Sequence, residues 1–432
     1  MDAVFNESLR RFVAEHASDD PAALLLARDR WPGVDVALAA DCIASRRKLR
    51  GKCPRWAEPD ILCPLPLSAE QSSSERTARY KAALVRRLAG ERPLRVADLT
   101  GGLGVDSAAF AGVCAELLYN ERQVLLAQAA ASNFAALGLE NVRISSVDVD
   151  AQTLPALLED FRPELVFLDP ARRSDAGGKL FRLEDCAPNV LELTEEVLAR
   201  GAFLLVKLSP LADISLVIRS LDAAAGAAGS VRELHVVGSG GECKELLVLM
   251  RPAAAPGGGK RVADGGEPRI TAAELSGRCE ASLSFTPGEE AAAVALALDR
   301  LPRSGDWIFE PGKALAKSGC FSLLSARWGL RKLARSTHLY LAGAPVEALS
   351  LLGRWSRILD CAPLGRQSLR EFGTRYPRSE VRSVNLPMSS EALRTRLGVR
   401  SGDDARIYAL RCELPGRTAD CLAACRVMNC TA

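Results

Sequence analysis

The sequence contains few histidines and no paired cysteine motif, and both absences bear on metal binding. Its three histidines lie far apart, and its 13 cysteines include no C-x-x-C pair. The tightest group is Cys421, Cys425 and Cys430, near the C-terminal end. Because a structural zinc site uses about four clustered nitrogen or sulfur ligands, we expect no metal. Scattered cysteines are instead typical of reduced thiols in a cytoplasmic protein.

The sequence also lacks a long hydrophobic run. No stretch of about 18 apolar residues occurs, which argues against a membrane-spanning helix. The first 30 residues carry charges throughout and have no apolar segment of the kind that signal peptides use. These absences predict a cytoplasmic protein without a membrane partner.

Length and charge point to several domains with different surfaces. The chain has 432 residues, of which 48% are hydrophobic and 25% charged, so we expect a globular protein with more than one core. The segment from Arg327 to Arg411 contains 16 Lys and Arg against 7 Asp and Glu, whereas the remainder has 40 against 46. A basic C-terminal third suggests a polyanionic partner, although a solvated arginine-rich surface would give the same count.

Short apolar runs alternate with helical stretches between residues 94 and 250, which predicts an α/β domain with a parallel sheet buried on both faces. The last two runs are separated only by Gly238 to Lys244, too short a link for a helical crossover, so we expect them to be antiparallel. The prediction is a seven-stranded sheet with the last strand antiparallel. The seven runs are 94–98, 115–120, 141–146, 164–169, 202–208, 231–237 and 245–250.

The rest of the chain divides around this domain. A helical N-terminal region precedes it, and a linker rich in Pro, Gly and Ala follows it from Pro252 to Gly266. Toward the C-terminal end we predict a helix over 389–397 and strands near 406–411 and 420–427. The predicted domains are a helical region at 1–75, the α/β domain at 76–252, and two small α+β domains at 268–340 and 341–432.

A glycine-rich loop follows the first predicted strand. It reads DLTGGLGVD from Asp98, and its spacing fits D-x-x-x-G-x-G with Thr100 in place of the first glycine. Glycine lets a nucleoside-containing cofactor approach the backbone closely, although a plain tight turn also uses glycines. We predict that the cofactor-binding residues in this loop are Asp98, Thr100, Gly101, Gly102 and Gly104.

Acidic residues follow the next two predicted strands. Glu121 ends the second strand, at about the distance from Asp98 where a carboxylate accepts hydrogen bonds from a ribose diol. Asp148 lies just past the third strand, where a carboxylate can reach an adenine amino group. Each could also be a solvated loop charge. Their order along the chain favours a cofactor site.

The fourth predicted strand ends in Asp169-Pro170-Ala171-Arg172-Arg173. Ligands of open α/β sheets bind beyond the carboxyl ends of the strands. There Asp169 could accept a hydrogen bond from a substrate amine, and Pro170 would stiffen the turn. Arg172 and Arg173 could pair with phosphate or stack on a base, unless they are solvated residues at a helix start.

Taken together, these motifs resemble those of one protein family. The segments DLTGGLGVDS, FLDPARR, LLVKLSPLADI and GGECKELLV are similar, in this order, to bacterial class I S-adenosylmethionine (SAM)-dependent methyltransferases with ferredoxin-like and THUMP-like C-terminal domains. QSSSE (71–75), IFEPGKALAKSG (308–319) and SVNLPMSSEALRTRLGV (383–399) extend the resemblance over nearly the whole chain. It implies SAM as the cofactor and, since THUMP domains accompany RNA-modifying enzymes, RNA as a partner.

Two RNA methyltransferase chemistries can be compared with these residues. Enzymes that methylate amino groups resemble N/D-P-P-Y/F at the fourth strand, whereas this chain continues from Asp169-Pro170 with Ala171 and lacks the aromatic. Pyrimidine carbon-5 enzymes place a nucleophilic cysteine after the fifth strand, where this chain has Leu208. The comparison favours direct methyl transfer to a base nitrogen.

Lys207 is unusual at the end of an apolar strand. It could bind phosphate or act as a base, or it could pair with Asp169 or Glu242. We predict Asp169, Pro170 and Lys207 as catalytic residues and Arg172 and Arg173 as substrate-binding residues. Two other functions stay open at this point: a methyltransferase for a protein or small molecule, and a SAM- or RNA-binding module without catalysis.

Overall fold

The structure is a computed structural model that describes residues 4–172, 182–253, 266–277 and 279–428. The chain divides into two compact units. The first comprises Met1–Arg232 and Leu247–Gly265, and the second comprises Glu233–Leu246 and Gly266–Ala432. Among the described residues, no helix is both long and apolar enough to cross a membrane.

The first unit begins with five helices, and polar side chains cap four of them. Asn6, Asp20 and Asp35 accept hydrogen bonds at the starts of the first three, and Ser74 forms a capping box with Thr77 at the start of the fifth. The helices are α1 (Glu7–Glu15), α2 (Pro21–Leu26), α3 (Val36–Leu49), α4 (Pro66–Gln71) and α5 (Glu75–Ala89).

This helical region shares a core with the α/β part of the chain. Trp56 and Ile61 are buried in one cluster with Leu103, Tyr119 and Phe134, which follow or belong to the elements of the sheet. Burial of such side chains contributes about 1.5–3 kcal/mol each. The N-terminal residues therefore belong to the same folded unit as the sheet.

The α/β part alternates strands and helices as the apolar runs predicted. A short 3-10 turn occurs in this part at Leu183–Asp185, and two others occur in the N-terminal helical region at Arg28–Arg30 and Pro54–Ala57. The elements are β1 (Arg95–Asp98), α6 (Val105–Ala111), β2 (Glu116–Asn120), α7 (Val124–Ala136), β3 (Val142–Ser145), α8 (Leu154–Phe161), β4 (Leu165–Leu168), β5 (Ala171–Arg172), β6 (Cys186–Ala187), α9 (Val190–Ala199), β7 (Phe203–Leu208), α10 (Ile214–Ala225), β8 (Gly229–Ser239) and β9 (Glu242–Pro252).

The sheet order is β3-β2-β1-β4-β7-β9-β8, and the pairs between β3 and β7 are parallel. Only Gly240 and Gly241 join β8 to β9, so these neighbours form an antiparallel hairpin. The predicted seven-stranded sheet with its last strand reversed is confirmed. Two further strands, β10 (Arg269–Ser276) and β11 (Cys279–Phe285), extend it beyond β8, whereas the sequence suggested that residues from 268 onward belong to a separate small domain.

The second unit contains an eight-stranded sheet in the order β12-β14-β15-β13-β16-β19-β18-β17, with a 3-10 turn at Glu347–Leu349. Its elements are α11 (Pro287–Ala292), β12 (Leu296–Ala297), β13 (Trp307–Pro311), α12 (Lys313–Ser318), α13 (Ser322–Trp328), β14 (Arg331–Ala334), β15 (Thr337–Ala342), β16 (Gly353–Pro363), α14 (Arg366–Arg375), β17 (Arg378–Val384), α15 (Ser390–Leu397), β18 (Arg400–Leu414) and β19 (Arg417–Val427).

Two helices of this unit pack closely against each other. A Cβ on Gly373 of α14 would lie 2.0 Å from the carbonyl oxygen of Leu397 at the end of α15, so only glycine fits there. Phe372, Leu393 and Leu397 are buried in the cluster beneath the two helices. The small α+β character predicted for the C-terminal part is confirmed, and α15 begins within one residue of its predicted start.

Candidate functional site

A cavity of about 440 Å³ lies in the first unit, at the carboxyl ends of β1, β2, β3 and β4. This is the size range of small-molecule sites, about 300–1,000 Å³. The seven residues predicted to bind a cofactor all line it, and so does Asp169. The predicted cofactor residues are Asp98, Thr100, Gly101, Gly102, Gly104, Glu121 and Asp148.

The glycine-rich loop is anchored by an aromatic side chain of β2. The Tyr119 hydroxyl donates a 2.5 Å hydrogen bond to the carbonyl oxygen of Gly102, and burial raises the pKa of this phenol, which keeps the donor proton in place. A Cβ on Gly101 would lie 2.1 Å from the Tyr119 ring. Gly101 is therefore required by packing against the sheet.

Gly104 and Gly102 have positive φ angles of 86° and 55°, which glycine adopts without strain. They differ in what a side chain would meet. A Cβ on Gly104 would lie 2.7 Å from the Phe134 ring and 3.4 Å from Trp56, whereas a Cβ on Gly102 would have only the Thr100 carbonyl oxygen at 4.0 Å. Close approach of a ligand can thus explain the glycine at 102, while core packing already requires the one at 104.

Asp98 lies beneath this loop and holds its conformation. Its carboxylate accepts hydrogen bonds from the Thr100 backbone N–H at 3.1 Å and from the Ser107 hydroxyl at 2.5 Å, and the residue is 1% exposed. Burial raises the pKa of Asp98 to about 7, against the lowering effect of the Ser107 hydrogen bond, and the charge of Asp106 raises it further. These contacts make Asp98 a residue that shapes the loop.

Glu121 connects the glycine-rich loop to the end of β2 through hydrogen bonds. Its two carboxylate oxygens accept hydrogen bonds from the backbone N–H groups of Gly102 and Gln123, each at 2.9 Å. A carboxylate has about four lone-pair sites, so both oxygens can still accept from a diol. Asp148 is exposed on the loop after β3 and also faces the cavity. Asn120 joins these loops by bonding to the backbone of Leu99 and Val147.

Asp169 is fixed at the end of β4 by two contacts. Its backbone N–H donates to the Thr100 hydroxyl at 2.6 Å, and its Oδ2 accepts from the Lys207 ammonium at 2.5 Å. No described residue donates a hydrogen bond to Oδ1. The alternative pairing of Lys207 with Asp169 is therefore present. Thr100, which replaces a glycine of the usual pattern, gains a specific function here because its hydroxyl links the loop after β1 to β4.

The predicted substrate-binding residues are only partly described. Arg173 lies outside the described residues, and Arg172 is described through its backbone, which pairs with Cys186 in the ribbon of β5 and β6. Pro170 joins β4 to this ribbon and does not line the cavity. Lys207 does not line it either and reaches it only through Asp169.

Several residues that line the cavity were not predicted. Gln71, Ser72 and Ser73 come from the N-terminal region, and Asn189 and Glu192 come from the start of α9. Asn189 caps α9, and its side-chain amide donates to Glu192 Oε1 at 2.7 Å. The QSSSE segment was a usable signal for the first group. No local motif marks the second, which tertiary folding brings to the cavity.

The charge of the cavity suits a cationic ligand. A single basic residue, Arg122, lines its described part. SAM carries a sulfonium and an ammonium against one carboxylate, so a largely acidic lining matches its net positive charge. The residues present therefore fit this cofactor. The acidic residues of the lining are Asp98, Asp106, Glu121, Asp148, Asp150, Asp169 and Glu192.

Comparison with solved structures agrees with this geometry. The chain is similar, with 29% sequence identity and a TM-score of 0.81, to a methyltransferase candidate from Porphyromonas gingivalis W83, over 98% of this chain and 99% of that one. The chain is a class I S-adenosylmethionine-dependent methyltransferase. SAM is the cofactor of this class, in agreement with the lining of the cavity.

Other comparisons cover parts of the methyltransferase. Residues 307–349 match a family model described as a ferredoxin-like domain. A SAM-dependent methyltransferase from Agrobacterium tumefaciens aligns with 42% of this chain and 63% of its own, at 21% identity and a TM-score of 0.31. An rRNA methylase from Streptococcus thermophilus aligns with 40% and 94%, at 15% identity and a TM-score of 0.28. No curated protein matches the sequence.

Metal ligands and disulfides are absent from the described part of the methyltransferase. No group of three or more His, Cys, Asp or Glu side chains there has an arrangement suited to a metal ion. The cysteines described as free include Cys412 and Cys421, whose sulfur atoms lie 3.8 Å apart in the second unit.

Proposed function

We propose that this methyltransferase transfers a methyl group from SAM to a base nitrogen of RNA, in tRNA or rRNA, by direct attack of the nitrogen. The observation that supports the nitrogen acceptor is the placement of Asp169. Its carboxylate faces the cavity, and its Oδ1 has no hydrogen bond from a described residue. A free acceptor at the end of β4 is suited to hold an amino group.

The chain's residues would act mainly by positioning. When bound, SAM supplies a methyl group on a positively charged sulfur. Asp169 orients the amine so that its lone pair forms the new C–N bond as the C–S bond breaks, and the amine proton passes to water. Lys207 and Thr100 hold Asp169 in place. Such orientation can account for a large share of a rate enhancement, about 7–11 kcal/mol in favourable cases.

Support for RNA comes from exposed arginines in residues 341–432, which we propose to be the THUMP-like domain. Within the described residues, four exposed arginines on and beside α14 and α15 make no ion pair, so their charge is available to phosphates. Arg172 and Arg173, beside the cavity, are proposed to contact the same RNA. We call the four exposed arginines on and beside α14 and α15 the α14–α15 arginines. They are Arg366, Arg370, Arg396 and Arg400.

The arginines around these four are engaged within the protein. Arg375 and Arg378 pair with Asp360 and Asp404. Arg382 contacts Glu310 in the same unit. The α14–α15 arginines therefore differ from these neighbours, whose charges are neutralised by ion pairs within the protein. We also place the methyltransferase in the cytoplasm, since free thiols fit a reducing compartment.

The experiment is methyl transfer from radiolabelled SAM to total RNA taken from a strain that lacks the gene. Wild-type protein should label RNA, and Asp169→Ala should lower the rate by about 100-fold or more while its affinity for S-adenosylhomocysteine changes less than threefold. Glu195→Ala, an exposed carboxylate on α9, is the control and should keep the wild-type rate.

Other outcomes would replace the proposal. Turnover near the wild-type rate in Asp169→Ala would remove Asp169 from the mechanism. Label in protein or in small molecules, with none in RNA, would identify the methyltransferase as acting on those substrates. Tight binding of S-adenosylhomocysteine without label in any pool would indicate a module that binds SAM but does not catalyse.

A further inference from the structure

The second unit carries a pair of stacked rings at its surface, formed by Phe321 and His338. The ring centroids are 3.5 Å apart, and the ring planes are within 16° of parallel. Phe321 is half-buried and His338 is exposed, so the pair presents the histidine ring to solvent. We propose that this pair, which we call the ring stack, binds an unpaired base of RNA by stacking, and that Lys332 and Arg335 contact the adjoining phosphates. The inference rests on the proposed RNA substrate and adds a site that holds it.

Hydrogen bonds fix the position of Phe321 just before α13. Its carbonyl oxygen accepts from the hydroxyl of Tyr340, a fully buried residue of β15, at 2.9 Å. The next two backbone N–H groups, of Ser322 and Leu323, donate to the carboxylate of Glu290 at 2.6 and 3.0 Å. A ring that is already held in place loses little conformational freedom when a ligand stacks on it. The ring stack is therefore a preformed surface.

The two neighbouring strands bring a lysine to the ring stack. His338 and Tyr340 are two positions apart on β15, so their side chains point to the same face of the sheet. Tyr340 pairs in register with Lys332 of β14, which places the lysine on that face as well. The Lys332 ammonium lies 5.8 Å from the centre of the Phe321 ring. A positive charge thus lies beside the rings.

The histidine ring is uncharged and has no partner for its nitrogen atoms among the described residues. Partial burial lowers the pKa of His338 below its ordinary value, and the charge of Lys332 lowers it further, so the ring is neutral at pH 7. A neutral imidazole keeps one donor and one acceptor nitrogen. Histidine is among the aromatic side chains on which unpaired RNA bases stack. The exposed ring therefore offers both a stacking face and hydrogen bonds for a base edge.

The basic residues beside the ring stack suit the phosphates of the same nucleotide segment. Within the described residues, neither Lys332 nor Arg335 forms an ion pair, and the Lys332 ammonium donates to the Arg335 carbonyl oxygen at 2.9 Å. The carboxylates that act on Lys332, those of Glu290 and Glu413, already accept hydrogen bonds from backbone N–H groups. Proteins that bind single-stranded nucleic acid combine basic groups along the backbone with aromatic rings that stack on bases. The ring stack has both parts.

Base pairing separates stacking from the effect of charge. Bases in a duplex are stacked on each other and are not free to stack on a protein ring, whereas their phosphates stay accessible. The probe is a labelled RNA strand without secondary structure, used alone and annealed to its complement. One stacked base contributes about 5- to 150-fold in affinity. His338→Ala should therefore bind the single strand at least about fivefold more weakly, with less than about a twofold change for the duplex.

Two further variants serve as controls. His338→Tyr keeps an aromatic ring at this position and should bind the single strand within about twofold of the wild type. Arg335→Gln should weaken the binding of both forms by a similar factor, since both have phosphates. Unchanged duplex binding by His338→Ala also shows that this variant is folded.

The outcomes distinguish failure of this inference from failure of the RNA substrate. Equal losses for the two RNA forms in His338→Ala, no loss for the single strand, or a His338→Tyr variant as weak as His338→Ala would overturn the ring stack as a base-binding site. The proposed RNA substrate would stand in each of these cases. Wild-type protein that binds neither form at low salt would overturn both.

Discussion

Asp98 shows how burial sets the charge of a single group in this site. Its carboxylate is 1% exposed, accepts two hydrogen bonds and has a pKa raised to about 7, chiefly by burial. The sequence pattern indicated an acid at the head of the glycine-rich loop. It could not indicate whether the side chain contacts the cofactor or supports the loop, because that depends on Ser107 and on the depth of the strand end.

The raised pKa of Asp98 predicts a pH dependence of stability. In the unfolded chain the carboxyl group loses its proton near pH 4, and in the folded chain near pH 7. Between these values the folded state binds the extra proton, so stability falls as pH rises. Urea unfolding at pH 5 and pH 8 should show that Asp98→Asn loses less stability over this range than the wild type, by about 2–3 kcal/mol. Equal losses in the two proteins would contradict the assignment.

The glycines of the loop predict two different substitution effects. Gly104→Ala combines a positive φ with a Cβ 2.7 Å from the Phe134 ring, so it should destabilise the fold by about 2–4 kcal/mol. Gly102→Ala has the backbone strain alone and should cost about 1–2 kcal/mol. Thermal unfolding of the two variants measures the difference. A Gly102→Ala variant that is as unstable as Gly104→Ala would show that the loop packs differently.

At the scale of elements, Thr100 connects the loop after β1 to the end of β4. Removal of its hydroxyl leaves the Asp169 N–H without its acceptor. Thr100→Val should therefore lower kcat by about 10-fold or more with little change in affinity for S-adenosylhomocysteine, and Thr100→Ser should restore kcat. If Thr100→Ser is as slow as Thr100→Val, the hydroxyl does not position Asp169.

The bounds of the seven predicted strands could be read closely from the sequence. The further strands of the sheet and the cavity residues outside the strand ends could not. The run at 164–169 gave β4 (Leu165–Leu168), since four consecutive apolar residues have few alternatives in a buried sheet. The pairing of β10 with β8 was not predicted, because the Pro- and Gly-rich linker before β10 suggested a separate domain. Asn189 and Glu192 were missed because no spacing rule relates the start of α9 to the cavity.

At the scale of the whole molecule, the excess of arginine in the C-terminal third was visible in the sequence, but the fraction that is free to bind a partner was not. Ion pairs such as Arg375 with Asp360 neutralise part of it, and these depend on which strands and helices meet. The structure thus reduces this count of charges to a smaller set of exposed arginines without an ion pair, which includes the α14–α15 arginines.

The α14–α15 arginines predict a specific salt dependence. Each phosphate contact that is lost reduces the slope of log Kd against log salt concentration by about 0.7–0.9. Arg366→Gln/Arg370→Gln should therefore reduce the slope of RNA binding by about 1–2. Arg375→Gln/Arg378→Gln removes the same charge from ion-paired positions and should reduce it less. Equal slopes for both double variants, or no RNA binding at low salt, would argue against this surface as an RNA platform.

The predicted roles of the site residues rest on one claim, that the cavity after β1, β2 and β3 binds the methyl donor. Calorimetric titration with S-adenosylhomocysteine tests it most directly, with Glu121→Ala as the variant and Glu116→Ala, a partly exposed carboxylate at the start of β2, as the control. We expect micromolar binding in the wild type and in the control, and at least about tenfold weaker binding in Glu121→Ala. Wild-type protein that does not bind S-adenosylhomocysteine, or Glu121→Ala that binds it as tightly, would contradict the claim.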